Sequence, residues 1–429
     1  MVVKAGSARA LILLLWLALV AALPGSGAVG GAGSAGPAAL LDLPRIPWEG
    51  GSDYWKKFPV ADAAGWSDPA FFPIVAWYNG ISSNDEAQYD RSLGINTYIG
   101  MDAATPYSLF ADNGMFWIGP PLNDTFTTSS RNWVGEFLDD EVDGRYSPQG
   151  GRAHLQELSD KAKADGRFAY TNYTQSVIAK DMADPDANAY VNDFTDVVSV
   201  DMYWYTVPFC SGSPYRENYL IPIPQPQCRT ASSYGKTMQM LRQRDAADGK
   251  LQPLWQFVEN LNGGPGDQPF TAEITPEQLE GAVMNSLIHE ARGIVYFNQS
   301  LSGPCQGGSI FRQSQIEAGF CAADQVAAVK KIDSLIRDLA PVLNTQSFDY
   351  SFGGGLDTML KQYNHSIYIF AMTDGASTPG PRTFTLPSGV RGRAVEVVGE
   401  GRSITASANG VFRDVLANEN SFHVYRVDE

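Results

Sequence analysis

Eight short apolar runs, each followed by a polar or helix-forming stretch, set the rhythm of the chain between residues 72 and 299. Some helix signals are explicit: Gly94 closes a polar segment, and Thr275, Pro276 and Gln278 combine an N-cap, a first-turn proline and a capping glutamine. Strands that alternate with helices form parallel sheets. The predicted strands are 72–79, 95–101, 115–120, 133–138, 168–174, 196–206, 251–260 and 291–299.

This pattern predicts an α/β fold, a closed (β/α)8 TIM barrel over residues 58–343. The alternative is an open, doubly wound sheet, which usually carries a glycine-rich phosphate loop after its first strand. Here that position reads Trp77-Tyr78-Asn79-Gly80, which matches neither GxGxxG nor GxxxxGK. The barrel is therefore favoured, with a last helix over 322–340 that stops at Pro341.

The pattern changes after residue 344, where short alternating segments follow one another without a helical stretch between them. Glycine, proline, asparagine or serine separates the segments, as expected for tight turns between antiparallel strands. Residues 344–429 are therefore predicted to form a small all-β antiparallel sandwich. The segments are TMLKQY, SIYIFAMT, RTFTLP, GRAVEVV, SITASA, VFRDVL and FHVYRV.

The N-terminus has the pattern of a signal peptide over residues 1–28. Lys4 and Arg9 precede a short apolar run, and Ser26-Gly27-Ala28 offers a small-x-small cleavage site. A single-span anchor is the alternative, but the apolar run is shorter than the roughly 20 residues that a span needs. Residues 29–57 are interpreted as a leader or linker. The mature chain is expected outside the cytoplasm, free of the membrane and monomeric.

The charge of the chain narrows the choice of ligand. Removing Lys4 and Arg9 leaves 29 basic against 47 acidic side chains, which lowers the net charge from −16 to about −18. Nucleic acids and anionic membranes both select for basic surfaces, so neither is an expected partner. A neutral ligand is favoured.

Four cysteines, an even number in a chain with an export signal, favour disulfide bonds. Of the three possible pairings we favour the local one, Cys210–Cys228 and Cys305–Cys321, because each pair brackets one Gly/Pro-rich loop. A metal site is disfavoured, because there is no Cys-x-x-Cys spacing and histidine is scarce.

The active site of a TIM barrel lies at the C-terminal ends of its strands, so the last residues of each predicted strand are the candidates. They are acids, amides and aromatics, and the four histidines are not among them. This argues against histidine-based metal hydrolysis and a Ser-His-Asp triad. The candidates are Trp77, Asn79, Met101, Asp102, Trp117, Asp139, Asp140, Glu141, Asn172, Tyr173, Asp201, Tyr203, Trp204, Glu259, Asn260, Phe297 and Asn298.

Carboxylates among aromatic and amide side chains suit carbohydrate chemistry. Aromatic faces stack on sugar rings, amides bond hydroxyls, and a carboxyl pair cleaves the glycosidic bond. We therefore predict a carbohydrate substrate and no cofactor or metal. The substrate-binding residues are predicted to be Trp77, Asn79, Trp117, Asp140, Asn172, Asp201, Tyr203, Trp204 and Asn298.

Glutamates that end strands 4 and 7 of a barrel with a C-terminal β-sandwich resemble the large superfamily of retaining glycoside hydrolases with that architecture. The resemblance implies Glu141 as the acid/base and Glu259 as the nucleophile, with Tyr203 similar to the tyrosine that orients the nucleophile. The sequence departs from the superfamily at Asp140, where an asparagine commonly precedes the acid/base. Asp139 or Asp140 therefore stays open as the acid.

Other interpretations stay open at this point. Asp139, Asp140, Glu141 and Asp143 could form a cation site, although their spacing is not that of an EF-hand loop. Glu141 could simply begin a solvated loop, and Glu259 could form a salt bridge with a barrel arginine such as Arg292. At the level of function, the rivals are a carbohydrate-binding protein without catalysis and an inverting hydrolase, whose carboxyl groups stand roughly 6.5–9.5 Å apart.

Overall fold

A closed barrel of eight parallel strands occupies the first part of the computed structural model, which describes residues 41–163, 165–262 and 272–428. The strands pair in chain order and β8 returns to β1, so the prediction of a (β/α)8 barrel is confirmed. The strands are β1 Ile74–Trp77, β2 Thr97–Ile99, β3 Phe116–Ile118, β4 Trp133–Asp140, β5 Phe168–Tyr173, β6 Val197–Val200, β7 Leu254–Glu259 and β8 Ile294–Phe297.

Helices surround this barrel and link its strands. The helix-start signal at Thr275 is confirmed, because its side chain and that of Gln278 form a reciprocal capping box. The helices are α1 Pro59–Ala63, α2 Asn84–Leu93, α3 Tyr107–Asn113, α4 Val142–Arg145, α5 Pro148–Lys163, α6 Asp184–Asn192, α7 Ala231–Asp245, α8 Pro276–Ile288, α9 Ile310–Ile316 and α10 Ala323–Leu343.

The expected stop of the last barrel helix at Pro341 is wrong, because α10 continues through that residue to Leu343. A proline inside a helix removes one backbone hydrogen bond, to the carbonyl four residues earlier. That carbonyl belongs to Arg337, an exposed residue that water can reach. The loss is therefore tolerated in the last turn.

Tightly packed aromatic rings fill the barrel at the N-terminal ends of its strands. Trp66 lies at the centre, 4.7 Å from Trp55 and 5.2 Å from Phe168 between ring centroids, and it is fully buried. The interior is thus a packed core at this end, as in other TIM barrels. The opposite end, formed by the C-terminal strand ends, is where a TIM barrel places its site.

The C-terminal region contains seven strands in two antiparallel sheets, as the sequence predicts. One sheet has the order β13-β12-β15-β10-β9, and the other pairs β11 with β14. The rings of Phe384 and Phe412 stack 4.8 Å apart and meet Tyr425 of the larger sheet, which joins the two sheets in one core. The strands are β9 Leu356–Tyr363, β10 Ser366–Thr373, β11 Gly380–Thr385, β12 Ala394–Val397, β13 Arg402–Thr405, β14 Val411–Leu416 and β15 His423–Asp428.

The described part of the predicted leader, residues 41–57, is packed against the rest of the molecule. Leu41 is 2% exposed in the sandwich core, and the Ile46 N–H donates to the Ser347 carbonyl at 3.0 Å. Glu49 forms a buried ion pair with Arg292 at 2.7 Å. These residues therefore belong to the folded body and are not a free linker. The predicted signal peptide and residues 29–40 lie outside the described residues.

Loss of the Glu49 carboxylate is expected to destabilise the protein, because it leaves Arg292 with only Glu290 as a buried partner. Breaking a buried ion pair is costly, so Glu49→Ala should lower the free energy of unfolding by about 2–4 kcal/mol. The control is Asp53→Ala, which removes an exposed ion pair to Lys56 and should cost less than about 1 kcal/mol. Denaturant unfolding measures both, and equal stability of the two variants would contradict the packing described here.

Both predicted disulfides are confirmed. Cys210 bonds Cys228 and Cys305 bonds Cys321, across 18 and 16 residues of chain. The first bond ties together the long loop after β6, and the second ties the loop after β8. Both loops follow strand ends at the mouth of the barrel. Within the described residues, no helix combines the length and apolar character required to cross a membrane.

Candidate active site

A bulge near the end of β4 decides which of its acids enters the barrel. Phe137 pairs with Tyr170 and Asp140 pairs with Asn172, so three steps on β4 match two on β5. The extra residue lets Phe137 and Asp140 both face the interior despite their odd spacing. The amide of Asn172 donates to the Asp140 carboxylate at 3.0 Å, and burial raises the pKa of Asp140 to about 6.

Asp139 points away from the mouth and binds two partners on the following helices. Its carboxylate binds the Arg145 guanidinium and lies 2.7 Å from His154 Nε2. Burial favours a higher pKa for Asp139, but hydrogen bonds from the Asp140 N–H, His154 and Arg145 outweigh it and hold the pKa below its usual value. A carboxylate stabilised in this way is a poor proton donor.

Glu141 stands at the turn between β4 and α4, in a left-handed backbone conformation with φ 49°. Its N–H donates to the Asn172 carbonyl at 2.9 Å, which fixes the turn against β5. Asp201 directly follows β6, where its own N–H donates to the Tyr173 carbonyl at 3.1 Å. The ends of strands 4 and 6 thus bring Glu141 and Asp201 side by side.

The carboxyl groups of Glu141 and Asp201 share a hydrogen bond. Burial, the negative charges of Glu141 and Asp140, and this hydrogen bond raise the pKa of Asp201 well above its usual value. One of two carboxyl groups in contact must carry a proton, because two negative charges at that distance repel strongly. Asp201 is therefore the member of the pair whose protonated form the surroundings favour.

Asp143 belongs to the structure of the loop and not to a cation site. Its carboxylate accepts the Thr174 N–H and hydroxyl, both at 2.9 Å. Among residues 41–163, 165–262 and 272–428, no group of three or more His, Cys, Asp or Glu side chains is arranged to hold a metal ion. The expectation that no metal is needed stays a prediction.

Glu259 ends β7 and faces the barrel interior, but its side chain is completely buried. The Tyr234 hydroxyl, from the first turn of α7, lies 2.7 Å from both carboxylate oxygens, and Thr206 Oγ1 lies 3.3 Å from one of them. Burial raises the pKa of Glu259 to about 7, although the hydrogen bonds from Tyr234 and Thr206 lower it. The salt bridge considered for Glu259 does not form, because Arg292 pairs with Glu49 and Glu290.

The tyrosine in contact with Glu259 is therefore Tyr234, and the role expected for Tyr203 stays a prediction. Tyr203 instead packs its ring against Phe297, with centroids 5.4 Å apart, at the centre of the mouth. Burial raises the pKa of Tyr203 well above its usual value, and the charges of four surrounding carboxyl groups add to the shift. Those four groups belong to Asp201, Asp140, Glu259 and Glu141.

Four of the predicted substrate-binding residues face the helices and not the mouth. Side chains alternate along a strand, so the neighbours of an inward residue point outward. Asn298 directly follows the inward residue Phe297, and its amide donates to Asn79 Oδ1 at 3.3 Å. Asn79 comes after Tyr78, whose left-handed backbone breaks the alternation that starts from inward Trp77, and it donates to Asp90 of α2 at 2.6 Å. The outward-facing residues, each no more than 2% exposed, are Asn79, Trp117, Trp204 and Asn298.

The two tryptophans in this group use their indole N–H inside the surrounding layer. Trp117 Nε1 donates to the Pro120 carbonyl at 2.9 Å, and Trp204 Nε1 donates to Thr237 Oγ1 of α7 at 2.9 Å. Both are core residues. The predicted residues that do come together at the inner mouth are Trp77, Asp140, Glu141, Asn172, Asp201, Tyr203 and Glu259.

The comparisons agree with this fold. No protein-family model matches the sequence, and no curated protein matches it. Among solved structures, a family 5 glycoside hydrolase from Bacteroides vulgatus has a TM-score of 0.50 at 10% identity, over 83% of this chain and 89% of that one. A family 30 endoxylanase from Clostridium papyrosolvens has a TM-score of 0.44 at 11% identity, over 83% of this chain and 97% of that one.

A family 30 subfamily 8 xylanase from Clostridium acetobutylicum has a TM-score of 0.45 at 12% identity, over 83% of this chain and 96% of that one. At such identities a likeness establishes the fold alone. The (β/α)8 barrel and the C-terminal β-sandwich follow from the strand pairing itself, and the family 5 structure, at a TM-score of 0.50, shares the fold. This part of the resemblance is confirmed.

Proposed function

We propose that this protein is a glycoside hydrolase that cleaves neutral oligo- or polysaccharides with retention of anomeric configuration. The observation that carries the proposal is that Glu141, Asp201 and Glu259 stand at the C-terminal ends of strands 4, 6 and 7 of one closed barrel. Two carboxyl groups of different protonation state on either side of a sugar are what glycoside hydrolysis requires. The two disulfides support a further proposal, that the protein acts outside the cytoplasm.

In the first step Glu141 donates a proton to the glycosidic oxygen while a Glu259 oxygen attacks the anomeric carbon. The bond to the leaving sugar breaks, and an ester joins the remaining sugar to Glu259. In the second step Glu141 takes a proton from water, the water oxygen attacks the anomeric carbon, and Glu259 leaves as a carboxylate. Asp201 supports both steps, because its hydrogen bond lets Glu141 receive and return a proton.

Tyr234 aims the nucleophile in this mechanism. Its hydroxyl contacts both oxygens of Glu259, so the carboxylate is fixed before substrate binds. A positioned nucleophile lowers the entropic cost of attack. The Glu259 side chain is itself fully buried.

That burial also favours a second candidate function, a carbohydrate-binding protein that does not turn over its ligand. Such a protein keeps the aromatic and amide lining of the mouth but has no reachable nucleophile. Both candidates predict binding, and only the first predicts a new reducing end.

The configuration of the first-formed product tests the proposal. The purified protein is incubated with soluble xylan, galactomannan and starch, and the anomeric proton signals of new reducing ends are followed by NMR before mutarotation. A retaining enzyme releases the anomer of the bond that it cleaves. Release of the opposite anomer would establish inversion, and binding without any new reducing end would establish the second candidate.

A further inference from the structure

Tyr78, which no prediction for the site included, stands out at the rim of the barrel mouth. It directly follows β1, whose last residue, Trp77, turns its ring into the barrel against Phe137 and Phe257. The Tyr78 side chain turns the other way and is 55% exposed. Exposure of a large aromatic side chain next to a candidate site is the usual arrangement of a contact surface for a ligand.

The backbone of Tyr78 is strained, with φ 65°. Left-handed conformations are uncommon for non-glycine residues, and they occur frequently at ligand-binding positions that the surrounding structure enforces. An asparagine or glycine would occupy this conformation with less strain. The chain nevertheless places a bulky ring here.

The neighbouring contacts hold this strained residue in place. The Tyr78 N–H donates to the Ile99 carbonyl at 2.9 Å, and the next side chain, Asn79, is anchored to Asp90 at 2.6 Å. Arg312 donates to the Gly80 carbonyl at 3.3 Å. Anchors on both sides of Tyr78 hold its backbone in this conformation.

Gly100, at the end of β2, provides the space that the ring needs. A Cβ atom at this position would lie 3.3 Å from Tyr78 Cδ2, which is tighter than an ordinary contact. The ring therefore rests on the bare backbone of the neighbouring strand end, with 55% of the residue still open to solvent. This arrangement forms a firm, flat surface at the rim.

We propose that Tyr78 is a stacking platform for a pyranose unit of the substrate, at a subsite removed from the bond that is cleaved. The inference rests on the proposed function and extends it to substrate length. Strand β1 contributes to the rim away from Glu141, so a sugar on Tyr78 belongs to a chain that extends beyond the catalytic carboxyl groups. The protein should therefore prefer oligo- and polysaccharides to short glycosides.

The test compares Tyr78→Asn, Tyr78→Ala and Tyr78→Phe with the wild-type protein by affinity electrophoresis in gels containing soluble xylan, galactomannan or starch. Tyr78→Asn and Tyr78→Ala should weaken binding to the retained polysaccharide about tenfold, and Tyr78→Phe should bind within about twofold of wild type. The matched control is Tyr146→Ala, which removes an exposed tyrosine that stacks on His154. That variant should bind like wild type.

Stability separates a platform from a structural role. Because asparagine relieves the left-handed backbone, Tyr78→Asn should raise the melting temperature by about 1–2 °C while it weakens binding. If Tyr78→Asn lowers both the melting temperature and the affinity for the polysaccharide, Tyr78 is a structural residue and the proposal is overturned. Unchanged binding of Tyr78→Asn and Tyr78→Ala, or no retention of wild type in any of the three gels, would also overturn it.

Kinetics separate this inference from the proposed function. If both hold, Tyr78→Ala raises KM for the polysaccharide about tenfold and leaves kcat/KM for an aryl monoglycoside within about twofold. If the wild-type protein binds the polysaccharide but never hydrolyses it, the proposed function fails, and Tyr78→Ala should still be retained more weakly than wild type in the gels. Equal losses on long and short substrates would overturn the assignment of Tyr78 to a remote subsite.

Discussion

Replacing Glu259 with glutamine is expected to lower kcat by at least about 10⁴-fold while the protein stays folded. Glutamine has nearly the same size, and its carbonyl oxygen can still accept the hydrogen bond from Tyr234, but a neutral amide does not attack an anomeric carbon. The measurements are kcat on the wild-type substrate, the dissociation constant for the same carbohydrate, and the melting temperature. Binding within a few-fold of wild type would separate lost chemistry from lost structure.

The matched control is Glu136→Gln. Glu136 is also a strand glutamate, and burial raises its pKa to about 7 as well, but it lies within β4, away from the strand end. Its loss should change kcat by less than about threefold. Near-wild-type turnover by Glu259→Gln, or an equal effect of the two substitutions, would remove Glu259 from the mechanism.

The pH dependence of kcat/KM shows whether Glu259 acts as the nucleophile or as the acid, because the two roles predict slopes of opposite sign near its pKa. A nucleophile must be ionised, and the pKa of Glu259 is about 7. We therefore expect kcat/KM to fall as the pH drops below about 7. If Glu259 were the acid, it would have to be protonated, and kcat/KM would fall as the pH rises through the same value.

Loss of the Tyr234 hydroxyl should change the pH at which kcat/KM falls. Its hydrogen bond lowers the pKa of Glu259, so Tyr234→Phe should shift the acidic limb to higher pH and reduce kcat. Tyr203→Phe serves as the comparison, because Tyr203 is not the tyrosine that holds the carboxylate. A larger shift in Tyr203→Phe would restore the role that the sequence resemblance implied.

The second large effect is expected for Glu141→Gln, which should lower kcat about 10²–10⁴-fold on a substrate with a poor leaving group. A glycoside with an activated aryl leaving group needs little protonation, so the variant should form its glycosyl–enzyme on that substrate at close to the wild-type rate. Pre-steady-state release of the phenol measures this step. An equal loss of that step on both substrates would show that Glu141 is not the proton donor.

Asp140→Asn is the contrasting substitution. It introduces the residue that commonly precedes the acid/base in the superfamily that the chain resembles, and it removes a carboxyl group whose pKa burial raises to about 6. We expect kcat to stay within about tenfold of wild type, since the amide can still bond Asn172 and a sugar hydroxyl. A loss greater than that of Glu141→Gln would make Asp140 the acid.

The strands and the two disulfides could be predicted because their signals are local. Runs such as Leu254–Glu259 combine β-branched and aromatic residues over the length of one strand, and a loop with a cysteine at each end favours the nearest pairing. The eight-strand count then restricts the topology to few choices. Predicting these features does not require knowing which side of each strand faces the barrel interior.

The direction of each side chain was harder to predict. Asn79 and Asn298 end apolar runs, yet they bond Asp90 and Ser309 in the surrounding layer. Asn298 directly follows the inward residue Phe297, whereas Asn79 follows Tyr78, whose left-handed backbone interrupts the alternation. The bulge in β4 shifts the alternation by one position, and no turn residue in the sequence marks it. A one-residue shift of this kind decides which acid faces a substrate.

Contacts between the candidate site and other elements could not be predicted from the sequence either. Tyr234 lies on a helix 25 residues before Glu259, in a segment without any recognisable motif. Only the closed barrel brings the first turn of α7 over the end of β7. The buried hydrogen bond that holds Glu259 is therefore a property of the topology.

The packed segment before the barrel also sets a limit on proteolytic trimming of the N-terminus. A peptidase that stops before Leu41 leaves the sandwich core closed, but a cut after Glu49 removes both an apolar plug from that core and the partner of Arg292. The folded body that the structure describes therefore begins near residue 41. A fragment that begins after residue 49 lacks both contacts and is expected to be less stable than one that keeps them.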